Sequence, residues 1–136
     1  MATLLRYWGP ACAYAGLIFY LSSQSHPEEQ LPSFVGLLSD KFLHVIEYAV
    51  LGGLFYRGFR WGADASWGPW ALPLAILAAS LYGISDEIHQ SFVPFRESSW
   101  LDWVADTVGA GLGAAAMARL AAHWPMSPVS AAGRAD

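Results

Sequence analysis

Residues 82–96 read YGISDEIHQSFVPFR, which puts Asp86, Glu87, His89, Gln90 and Arg96 at the end of one long apolar run and just ahead of another. Unpaired charge is costly to bury in apolar surroundings, so these side chains must meet water, one another or a ligand. Two more polar clusters sit at the edges of apolar runs. Residues 40–48 (DKFLHVIEY) open an earlier run, and Asp102 with Asp106 opens the last. The fold follows from one reading of this pattern: each apolar run is a helix crossing a membrane, and the three clusters share one membrane face.

Composition supports that frame. Of 136 residues, 55% are hydrophobic and 13% charged, and the mean hydropathy is +0.35. That is too apolar and too sparsely charged for an ordinary soluble domain. The net charge of -4 and the absence of any Lys/Arg cluster argue against a nucleic-acid partner. A single cysteine, Cys12, rules out an intrachain disulfide and a cysteine-based metal site.

Outward from the central stretch, the chain divides into spans. Residues 7–21 form the first apolar run, just long enough to span a bilayer that typically needs about 20 helical residues. Ser23-Gln24-Ser25 carries a weak small-x-small cleavage pattern, so a signal peptide is the alternative. Tyr7, Trp8 and Tyr20 favour an anchored, retained span. Residues 26–39, with Pro27, Glu28, Glu29, Pro32 and Gly36, read as an interfacial loop.

The second span covers about residues 40–59. Asp40, His44, Glu47 and Tyr48 recur at i, i+4, i+7 and i+8, one helical face, while Gly52-Gly53 permits close helix approach deeper down. A loop over 58–69 leads to a third span from about residue 70, which stays helical through the central stretch until Pro94 ends it. Ser98 or Ser99 is placed to cap the fourth span, residues 100–123. There Asp102, Asp106, Gly109 and Gly113 form one stripe, and its glycines predict tight packing on a neighbouring helix. Residues 125–136 read as a disordered tail after a membrane domain over 1–124. The expected fold is therefore all-α, a polytopic bundle of about four transmembrane helices.

Basic residues orient it. Arg6, Arg57, Arg60, Arg119 and Arg134 fall on one side, and only Lys41 and Arg96 on the other. Lys and Arg are retained inside, so both termini are expected in the cytoplasm, with the polar clusters facing out.

These motifs resemble a known family. Asp40-Lys41-x-x-His44-x-x-x-Tyr48-x-x-Leu51-Gly52, then Ser85-Asp86-Glu87-x-x-Gln90-x-Phe92-x-Pro94-x-Arg96, then Asp102-x-x-x-Asp106-x-x-Gly109-x-x-x-Gly113 is similar to the VanZ-like membrane proteins, over about residues 7–120. The resemblance implies a small transmembrane helical bundle in a bacterial inner membrane. It also implies a link to resistance against teicoplanin, a lipid-bearing glycopeptide directed at cell-wall precursors; it carries no established catalytic activity. Two positions depart from the pattern: Phe95 stands where Gly is usual, and Asp106 where Asn is common.

The residues themselves allow two readings. In the first, His44, Asp86, Glu87 and Asp106 supply acid, base or ligand groups, and Asp40, Lys41, Glu47, Tyr48, Gln90, Arg96 and Asp102 bind a phosphate- or sugar-bearing envelope lipid, with Arg96 as the phosphate fork. A divalent cation could sit among such oxygen and imidazole donors, although no HExxH spacing is present. In the second, the same pocket binds or shields a lipid-linked wall precursor or the antibiotic without chemistry. A proton or ion pathway is a third reading, disfavoured by apolar inner halves in every span. Lys41 alone reads more readily as an interfacial snorkelling residue, and oligomeric state is left open.

Overall fold

The computed structural model describes residues 1–25 and 40–123. The loop expected over 26–39, with Glu28 and Glu29, and the tail expected over 125–136 lie outside the described residues. What is described is all-helical. The long helices are α1 (Ala2–Ser22), α2 (Asp40–Arg57), α3 (Ala71–Gln90) and α4 (Trp100–His123). The expected loop between α2 and α3 is helical as well: a π-helical turn, Gly58–Gly62, and a 3-10 helix, Ala65–Trp70. Packing explains this correction. The Trp8 indole lies against Gly58 and Gly62, where a side chain would collide with it. Trp61 is buried beside Tyr7 and Tyr56 at ring separations of 6.4 and 6.1 Å. Asp64 then accepts from the Ser66 N–H at 3.0 Å and starts the 3-10 turn.

Small residues build the interior. The buried face of α3 is Ala71, Ala75, Ala79 and Gly83 before it turns polar at Asp86, Glu87 and Gln90. On α4 the buried face is Asp102, Ala105, Asp106, Gly109, Ala110 and Ala114. Both repeat every three or four residues, so each is a single helical stripe. Large apolar side chains such as Leu77, Leu81, Ile88, Val108 and Leu112 point outward.

The glycines set the closest approach. A Cβ at Gly109 would collide with the Val45 carbonyl oxygen, one at Gly113 with that of Ala49, and one at Gly52 with that of Ala110. Helices α2 and α4 are thus in backbone contact, as the Gly109 and Gly113 stripe predicts. They run parallel, since Lys41 meets Asp102, His44 meets Asp106 and Val45 meets Gly109 in rising order. Helix α1 runs alongside α3: Tyr82 donates to the Ala15 carbonyl at 2.6 Å, and Ser23 reaches His89 at 3.0 Å. This places the C-terminal ends of α1 and α3 with the N-terminal ends of α2 and α4. By length and hydropathy alone, one helical stretch among the described residues, Ala65–Gln90 with mean hydropathy 1.3, is apolar enough to cross a membrane.

Candidate functional site

At that shared end the structure gathers all three polar clusters. His44 Nδ1 on α2 and Asp106 Oδ1 on α4 are 2.8 Å apart, both buried. One turn nearer the helix starts, Lys41 pairs with Asp102, whose side chain is buried while Lys41 stays half exposed. Helix α3 completes the set. Gln90 donates to Asp86 Oδ2 at 3.0 Å, and Glu87 Oε2 accepts the Ser99 backbone N–H at 2.7 Å. The last bond ties the end of α3 to the start of α4, where Ser99 Oγ also accepts from the Leu101 N–H at 3.3 Å and acts as the helix cap.

Several buried polar atoms have no hydrogen-bond partner among the described residues: Asp86 Oδ1, Glu87 Oε1, Asp106 Oδ2 and the Tyr48 hydroxyl. Glu87 and Asp106 therefore each use one oxygen and leave the other unsatisfied. Such a group costs roughly 1–3 kcal/mol, and more when charged. Space is made for Asp106 by Gly83, where a Cβ would lie 3.0 Å from Oδ2 and 3.3 Å from the Tyr48 ring.

Above this layer opens a cleft of about 230 Å³ lined by Asp40, His44, Gln90, Phe95, Arg96, Glu97 and Asp102. Of the residues singled out in the sequence, Asp40 stands exposed at the rim, Arg96 is half-buried at its edge, and His44 and Asp102 form the floor. Asp86, Glu87, Asp106 and Tyr48 lie buried, and Glu47 is half-buried on α2. His89 goes elsewhere: its ring stacks on Phe19 at 4.5 Å and reaches Ser23, so it joins α1 to α3.

The turn that carries Arg96 has one unusual residue. Phe95 has φ 63°, a left-handed conformation that bulky side chains rarely adopt. It occupies the position where the resemblance expects Gly, so the fold keeps a glycine-type backbone without the glycine. The Arg96 N–H donates back to the Val93 carbonyl at 3.2 Å and closes the turn.

Two contributors escaped the sequence reading. Ser22 of α1 is buried and lies 3.4 Å from the Gln90 amide, so α1 enters the site. Its only signal was a serine at the end of an apolar run. The second is the backbone N–H of Ser99, which no side-chain pattern reveals.

The geometry defines a class: a small all-helical bundle whose one polar end holds a buried acid-histidine layer beneath an open cleft. The VanZ/LLP1 family model matches residues 11–121. The chain belongs to the VanZ/LLP1 family. No curated protein and no solved structure matches it significantly.

Proposed function

We propose that this chain is a multi-pass membrane protein whose polar cleft takes the phosphate- or sugar-bearing headgroup of an envelope lipid. The observation that carries this is the cleft itself. Arg96 offers a planar donor fork at its edge, and hydrogen-bonding acceptors from Asp40, Glu97 and Asp102 face the same space. Sugar hydroxyls pair with such carboxylates, and a phosphate pairs with the guanidinium. The inside-out composition supports the membrane reading: alanine and glycine are buried while leucine and isoleucine face outward on α3 and α4, the arrangement of helices bathed in lipid. The cleft then opens at the outer face of the inner membrane, because Arg6, Arg57, Arg60 and Arg119 belong to the opposite end.

The resemblance to VanZ-like proteins supports a lipid-bearing glycopeptide such as teicoplanin as one occupant of the cleft, and shared chemistry supports wall-precursor lipids as another. Mass spectrometry of lipids co-purifying in mild detergent tests the reading. Wild type should retain a phosphate- or sugar-bearing lipid that Arg96→Ala releases. If Asp86→Asn holds that lipid while wild type slowly converts it, the site is catalytic; if neither converts it, the site binds or shields. Identical lipid profiles for wild type and Arg96→Ala would sink the headgroup reading.

A further inference from the structure

The cleft poses an electrostatic problem. An anionic headgroup entering it meets Asp40, Asp102 and Glu97 at its wall, with Asp86, Glu87 and Asp106 buried below. Lys41 is already committed to Asp102. Arg96 and His44 face more carboxylates than they can offset, so a further positive charge held there would favour an anion.

We propose that His44, Glu87 and Asp106 hold a divalent transition-metal cation of the Mn²⁺ or Zn²⁺ type. Each comes from a different helix, and one donor atom from each lies within 4.8 Å of the others. Their residues are 7%, 6% and 0% exposed. Leftover buried oxygens point to an ion. Glu87 Oε1 and Asp106 Oδ2 are buried without a hydrogen-bond partner among the described residues, although the second oxygen of each carboxylate is satisfied. The 2.8 Å contact between His44 Nδ1 and Asp106 Oδ1 is a hydrogen bond that satisfies that oxygen, so Oδ2 is the oxygen Asp106 has left for an ion.

The Ser99 N–H bond to Glu87 would serve as the outer support that orients a ligating carboxylate. One imidazole with two carboxylates favours Mn²⁺ or Zn²⁺ over Ca²⁺, which prefers oxygen alone, and over Cu(I), which prefers sulfur. A rival grouping, Asp40, His44 and Asp102, also has its donors within 4.8 Å. It is weaker because Asp40 is exposed and Asp102 is neutralised by Lys41. Three protein ligands leave further coordination positions for another donor, and of the three His44 lines the cleft. What the ion does there, receiving a headgroup phosphate oxygen, rests on the headgroup reading; that it is held does not.

The test uses the full-length protein in mild detergent, stripped with a chelator and titrated with Mn²⁺ and Zn²⁺ alone. Calorimetry and elemental analysis should find one ion per chain. Glu87→Gln and Asp106→Asn should each weaken it by about 10-fold or more, and by more than Asp40→Asn does. In wild type, Mn²⁺ should show imidazole nitrogen coupling by electron paramagnetic resonance, a readout that needs no variant to fold. Absence of a stoichiometric ion in wild type, or a bound ion without nitrogen coupling, overturns the site. Lipid retained by chelated protein that binds no ion leaves the headgroup reading standing and removes the metal. Stoichiometric ion with no retained lipid does the reverse.

Discussion

Phe95 shows how much a single residue can carry at this site. Its φ of 63° is imposed by a turn that must reverse the chain between α3 and α4 and still present Arg96 to the cleft. A non-glycine residue held there stores roughly 1–3 kcal/mol of backbone strain. Glycine would relieve it, at the cost of roughly 0.4–1 kcal/mol of added freedom in the unfolded chain. Phe95→Gly is therefore expected to raise stability by about 1 kcal/mol, read as a higher melting temperature in detergent. A lower melting temperature would mean that packing of the Phe95 ring outweighs the strain. Asp106, the other departure from the family pattern, is wholly buried against His44. There a carboxylate gains an imidazole partner and keeps one oxygen to spare.

At the scale of elements, the α2–α4 contact positions everything else. His44 and Asp106 meet because Gly52, Gly109 and Gly113 let two backbones touch over successive turns. A methyl at Gly113 would run into the Ala49 backbone, a clash that no rotamer change can relieve, so the helices must separate. Gly113→Ala should cost about 3 kcal/mol or more, in the range of overpacked or broken cores, and should disturb the His44–Asp106 pair although it touches neither residue. Gly111 provides the control. A methyl added there would have nothing within 4 Å, so Gly111→Ala should be neutral or stabilise by up to about 1 kcal/mol through helix propensity. Thermal melts of the two variants side by side decide the point; equal losses would refute the close-contact account.

For the whole molecule, the decisive feature is polarity from end to end. Arg6 and Arg57 both lie over the Tyr7 ring, at 5.5 and 5.3 Å, and mark one end; His44 and the carboxylates of the cleft and the layer below it mark the other. If lipid surrounds the middle, the two ends face opposite compartments. Starting from Cys12→Ser to remove the native thiol, Ser98→Cys should react with a membrane-impermeant maleimide added outside sealed inverted vesicles only after the vesicles are opened. Arg60→Cys should react at once. The opposite pattern would invert the topology, and reaction of both without opening would exclude a spanning bundle.

How much of this was legible in the chain follows from the range of the forces involved. The helices were readable because turn periodicity and capping are local: α4 begins at residue 100 as the Ser99 cap requires, and α3 runs on through Asp86 and Glu87 to Gln90. The gathering of polar residues at one end was readable too, because each run carries them at a consistent terminus and short connections force alternation. Pairing was not. That His44 meets Asp106, Lys41 meets Asp102 and Glu87 meets a backbone N–H depends on how far each helix is rotated and slid against the next. The same holds for His89, drawn to α1, and for Ser22, which brings α1 into the site. A π-helical turn at 58–62 arose where glycines and breakers predicted a loop, because Trp8 and Tyr7 arrive there from a distant part of the chain. Sequence alone determined the four long helices and at which end α2, α3 and α4 keep their acidic residues. Only the tertiary structure decided which charges are paired and which oxygens are left over, since that depends on contacts between helices far apart in the chain.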